Sequence, residues 1–263
     1  MPASQWILLN VPAPLLGAAV VVLAILSALV GSILTRRIAS HEKLRLHNDA
    51  AGNVFGTIGQ IYAVLLAFTV VLVWQDYTAA GEKAQKEASV LGSIYRDAVA
   101  LRQPASDQFR QLLREYGQQI VLDEWPAMAR GGEGARAQKA QENIWAMTTA
   151  FEPQSRREEI FFNQAVERFN QICELRRERL NASRQSISGI VWFVLLVGGF
   201  ITSYFPFLFG VEDRRMQILI VSGLTVTIGL ILFTIFEFQY PYTGTLSVRP
   251  DALRELHMLK GLV

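Results

Sequence analysis

A single cysteine, Cys173, excludes an internal disulfide, and its place among helix-patterned residues reads as a buried bystander rather than a nucleophile or metal ligand. Histidine is nearly as scarce: there are 3 in 263 residues, all in stretches that flank apolar runs or follow the last of them. No Gly-rich phosphate loop, Ser/His/Asp set, His-Glu-x-x-His or Cys pair is present, which argues against an enzyme and against a resident cofactor or metal. Charge is also short, at 18% of residues with a net charge of +2. The Lys and Arg of the middle of the chain are interleaved with Glu and Asp and form no basic stripe, so nothing points to a nucleic-acid partner.

Apolar length is what the chain has in abundance, with 51% hydrophobic residues and a mean hydropathy of +0.25. Four windows, Leu15 to Leu34, Phe55 to Trp74, Ile187 to Phe209 and Met216 to Phe236, contain no Asp, Glu, Lys, Arg or His. Each is close to the ~20 residues needed to cross a hydrocarbon core of ~30 Å. The pattern predicts an all-α integral membrane protein with four transmembrane helices in two pairs and a central extramembrane helical domain. Its divisions are 1–76, the first two spans and a basic connecting loop; 77–186, the helical domain; 187–236, the last two spans; and 237–263, a C-terminal segment with a short amphipathic helix. The first span is too long for a signal-peptide core and no base precedes it, so it reads as a retained helix, with Trp6 at the interface and Pro12 and Pro14 at its start.

The middle segment carries helical periodicity throughout: Val90, Leu91, Ile94, Tyr95, Ala98 and Leu101, then Phe109, Leu112, Leu113, Tyr116 and Ile120. Pro126 to Gly134 reads as a loop and Ser155 to Glu158 as a capping box. From there no Pro or Gly intervenes before Gly189, so one rod is expected to run from Ser155 into the third span, to Phe209.

Charge gives two opposed signals for orientation. Arg36, Arg37, Lys43 and Arg45 place the first loop in the cytoplasm, whereas Arg176, Arg177, Arg179 and Arg184 place the central domain there. The larger count of bases favours a cytoplasmic domain and cytoplasmic termini.

The second span holds the candidate site. At ~100° per residue, Gly52, Gly56, Gly59, Gln60, Ala63 and Ala67 share one face, which Val70 and Trp74 extend. Small residues at this spacing are the usual signature of close helix packing. The alternative is a pore wall, formed by Gly56, Gly59, Gln60, Ala63, Ala67, Val70 and Trp74. Gln60 is an amide within a span and is expensive against lipid, while Val70 and Trp74 make an apolar neck. At the ends of the spans, His47, Asn48, Asp49 and Glu237 are candidates for a pore mouth or juxtamembrane collar. His41, Glu42 and His47 offer metal-binding or pH-sensing chemistry, but a solvated collar with Asn48 or Asp49 as a helix cap is the favoured reading. Leu253, Leu256 and Leu259 place an apolar side on the C-terminal segment.

His47-Asn48-Asp49 with Gly52, the run Ile61 to Phe68, Glu87-Ala88, Leu91 and Tyr95-Arg96 together resemble the bestrophin-like family of bacterial membrane proteins. The close Pro241-Tyr242-x-Gly244, with Val248 and Pro250, is similar too, although Tyr242 stands where Phe is expected. The resemblance covers nearly the whole chain. It implies a remote relation to bestrophins, pentameric calcium-gated chloride channels whose second span lines the pore. It further implies a bacterial inner membrane, chloride as the ion and a homo-oligomer, most simply a pentamer. The acidic calcium cluster of bestrophins is not apparent here. The expected function is a homo-oligomeric, anion-favouring ion channel with the second span as its wall; the alternative is a membrane-anchored sensor or scaffold whose helical domain binds a protein.

Overall fold

The computed structural model describes residues 3–38 and 48–260, and among them every regular element is helical. Helix α1 (Ala3–Asn10) precedes α2 (Ala13–Ile38), which starts where Pro12 offers its carbonyl to the amides of Leu15 and Leu16. Next comes α3 (Asn48–Asp97), then α4 (Ala105–Gln119), a π-helical turn (Ile120–Glu124), α5 (Trp125–Met128), α6 (Ala135–Ala150) and α7 (Arg156–Arg184). The chain closes with α8 (Gly189–Tyr204), a 3-10 turn (Phe205–Leu208), α9 (Arg214–Phe238) and α10 (Asp251–Arg254). Four helices are long and apolar enough to cross a membrane, at Ala13–Thr35, within Ala51–Ala100, at Gly189–Leu208 and at Arg214–Phe238.

The long rod is not where the sequence places it. α3 runs unbroken for 50 residues, about 75 Å at 1.5 Å per residue, and joins the second span to the first helix of the central segment. Only Gly81 weakens the junction, and a helix-interior glycine costs about 1 kcal/mol. The expected rod from Ser155 to Phe209 is interrupted instead: Gln185 is extended and α8 begins afresh at Gly189. Ser183, Ser186 and Ser188 crowd this break, and serine hydroxyls compete for backbone partners, as Ser183 does in donating to the Leu180 carbonyl at 2.7 Å.

The chain forms two compact units. One comprises Met1–Asn10, Asp76–Gln185 and Tyr240–Val263; the other Val11–Gln75 and Ser186–Gln239. Both terminal segments thus group with the central helices. In this helical unit Leu91, Ile94, Leu113, Tyr116, Ile144 and Phe169 are buried together. The C-terminal leucines close it, with Leu253 and Leu259 buried and Leu259 packed on Gly117.

At its centre lies a network of buried charge. Arg179 donates to Glu87 at 2.7 and 3.1 Å and to Glu124 at 2.7 Å, and Arg176 donates to Glu124 at 2.9 Å and to the side chains of Gln138 and Gln141 at 2.8 Å. The π-helical turn carries Glu124, and the Arg179 guanidinium also sits 5.0 Å from the Trp125 ring centroid. Burial opposes the charge of Arg179, but Glu87 and Glu124 outweigh it and hold the group firmly protonated. Two of the four arginines read as juxtamembrane charge therefore serve the interior of this unit: position in the sequence reveals the base but not its burial.

Candidate functional site

In the membrane unit α3 has two unlike faces. Tyr62, Leu66, Thr69 and Val73, at helical spacing, are buried against α8 and α9. The Tyr62 hydroxyl donates to the Leu195 carbonyl at 2.8 Å, and Phe55 stacks on Phe205 with ring centroids 5.7 Å apart. These contacts set α3 and α8 antiparallel, and the close approach rests on glycines of α8. A Cβ at Gly198 would lie 2.6 Å from the Tyr62 ring, and one at Gly199 would lie 2.8 Å from its hydroxyl.

The glycines of α3 behave differently. At Gly52, Gly56 and Gly59 an added Cβ would meet nothing within 4 Å among the described residues. Gly56, Gln60, Ala63, Ala67 and Trp74 are exposed, and Gly59 and Val70 are half-buried. The expected wall residues therefore share a face that the described residues cover only in part. Trp74 is partly engaged, its ring meeting Phe238 edge-on at 5.2 Å. Gly56, Gly59, Ala63, Ala67 and Val70 also line a cavity of about 790 Å³ bounded by α3, α8 and α9. Gln60 and Trp74 lie outside that lining.

The expected mouth residues separate. His47 lies outside the described residues, as do His41 and Glu42. Asn48 begins α3, and its side-chain oxygen accepts from the Gly210 amide at 2.9 Å, tying the helix start to the connection between α8 and α9. Asp49 is exposed. Glu237, in the last turn of α9, is 4% exposed, and neither carboxylate oxygen has a hydrogen-bond partner among the described residues. It is a buried group.

The family is decided over most of the chain, because the bestrophin-like domain family matches residues 21–253. The chain belongs to the bestrophin-like family. The fold of this bestrophin-like protein is also similar to that of a bacterial bestrophin homologue from Klebsiella pneumoniae, solved as a point mutant, with a TM-score of 0.66 over 89% of this chain and 96% of that one. Sequence identity is 9%, so the likeness is one of fold. No curated protein matches the sequence. Among the described residues no group of three or more His, Cys, Asp or Glu is placed to hold a metal ion.

Missed by the sequence reading were the buried Arg176, Arg179, Glu87 and Glu124 set and the glycine pair of α8. Gly198-Gly199 was visible as a doublet. Its role depends on Tyr62, 136 and 137 positions away by sequence number, and no local spacing reveals that.

Proposed function

We propose that this bestrophin-like protein is a homo-oligomeric ion channel of the bacterial inner membrane, with α3 innermost and five copies around the path. The observation that carries this reading is the α3 face on which a Cβ added at Gly56 or Gly59 would meet nothing within 4 Å among the described residues and Gln60 is exposed within a span. An amide facing lipid is costly, whereas the same amide facing water is not. Four spans cannot enclose a pore alone, so the open faces of several copies must do so. Val70 and Trp74 supply the apolar neck, able to gate by dewetting. Anions, chloride among them, are favoured by the family resemblance. The helical unit and both termini are assigned to the cytoplasm.

A membrane-anchored scaffold is the second reading, favoured by apolar side chains exposed on the helical unit: Val99, Leu122, Trp145 and Ile160. Flux into proteoliposomes separates the two. The channel predicts chloride or another ion crossing with wild-type protein, more with Val70→Ala and less with Gln60→Leu. Silent vesicles containing intact oligomers of all three would support the scaffold.

A further inference from the structure

In the helical unit, two arginines of α4 share one aromatic ring of α3. The guanidinium carbon of Arg110 lies 4.4 Å from the centroid of the Tyr95 ring, and that of Arg114 lies 5.6 Å from it. Arg114 also donates to the Tyr95 hydroxyl at 2.6 Å. The two bases stand one turn apart on α4, where like charges repel, and neither forms an ion pair among the described residues. The carboxylates around them give no relief. Asp97 is taken by Arg168, and Asp107, Glu115 and Glu255 are exposed and pair with neither arginine.

Both side chains are held in place with donors to spare. The ring contact holds Arg110, whose Nε is enclosed without a partner while its terminal nitrogens stay open. The phenol oxygen holds Arg114 by one terminal nitrogen and leaves the rest of its fork unspent. Tyr95 accepts that bond, so its own proton remains to be given. Charge then selects the occupant. A carboxylate brings one negative charge and two oxygens, and leaves one arginine uncompensated. A phosphate monoester carries about −1.5 to −2 near pH 7 and three terminal oxygens, which matches two guanidinium groups and a hydroxyl.

We propose that Tyr95, Arg110 and Arg114 form a binding site for a phosphate dianion or monoester, held by the two arginine forks and the phenol proton. A soluble phosphate compound and a phosphatidic acid headgroup share this chemistry. The bound dianion cancels the repulsion between the arginines and fastens α4 to α3 at Tyr95. All three residues lie in the helical unit, so loss of the channel reading leaves the inference intact.

The test is modification of arginines by phenylglyoxal in the full-length wild-type protein, read residue by residue by mass spectrometry. One arm adds inorganic phosphate to protein in detergent; the other places the protein in phosphate-free vesicles with or without phosphatidic acid. Arg110 and Arg114 are expected to react more slowly with the probe present, while exposed Arg136 reacts as before. Protection by inorganic phosphate names a soluble source, and protection by phosphatidic acid alone names the lipid. With the probe that protects, Arg110→Gln or Arg114→Gln should weaken binding about tenfold to a hundredfold, the worth of hydrogen bonds to a charged group. Arg110→Lys, which keeps the charge and loses the fork, should fall between. Equal modification of Arg110 and Arg114 with and without both probes overturns the proposal. So does protection by acetate equal to that by phosphate, or binding unchanged in Arg110→Gln and Arg114→Gln.

Discussion

Arg179 keeps its charge without water because two carboxylates and an indole ring surround it, and removal of one member leaves the others uncompensated. Arg179→Met strands Glu87 and is expected to cost about 3–5 kcal/mol, read as a large fall in melting temperature with intact helix content at low temperature. Tyr116, whose hydroxyl donates to Glu87 at 3.4 Å, is pushed above its ordinary pKa, by burial first and then by that carboxylate. Glu158 titrates in the opposite direction. The Gln154 amide and Arg102 hold its carboxyl below the usual carboxylate value. Its contribution is therefore present above the ordinary pKa and is lost as pH falls through the lower folded value. Glu158→Gln should flatten the acid side of the stability profile, checked by melts across pH. The two glycine sets give a paired prediction. Gly198→Leu should prevent the membrane unit from packing because Tyr62 occupies the space. Gly59→Leu should fold, and any effect should fall on assembly or flux, measured by size exclusion and vesicle uptake.

At the scale of elements, the unbroken α3 joins the open membrane face to Glu87 of the buried ion pair. Gly81→Pro should cost about 3 kcal/mol or more by breaking the helix between them, visible as separate melting of the membrane and helical units in place of a shared transition. The four spans were legible in the sequence because lack of charge over about 20 residues is a one-dimensional signal. The cap at Ser155 was legible for the same reason, and its hydroxyl accepts the Glu158 amide at 3.2 Å. The rod was misplaced because Asp76 to Gly81 looks like a boundary by polarity, although polarity does not stop a helix. A serine-rich break without proline was overlooked because it depends on local hydrogen-bond competition. The π-helical turn that carries Glu124 has no spacing signature, and the burial of Arg176 depends on partners 35 to 52 positions away.

For the whole molecule, the α3 face was legible as a stripe but not as an uncovered one, since periodicity shows which residues align and not what they meet. In the proposed channel, a ring of copies gives this face its use. Native mass measurement in mild detergent should show five identical chains, and monomers alone would contradict the ring. Both terminal segments fold with the central helices, so one label reports the side of all three. Gly132→Cys in a Cys173→Ala background should resist an impermeant thiol reagent applied outside intact cells. Modification from outside would reverse the orientation. The central claim is that the open face of α3 borders the ion path. Its most direct test is current across a planar bilayer, in that same background, with single cysteines at positions 59, 60, 63 and 66, while a charged thiol reagent is added. The account predicts ion current that changes abruptly on modification at 59, 60 and 63 and stays constant at 66, which is buried. A current indifferent to the reagent at 59, 60 and 63, or no current from intact oligomers, would contradict it.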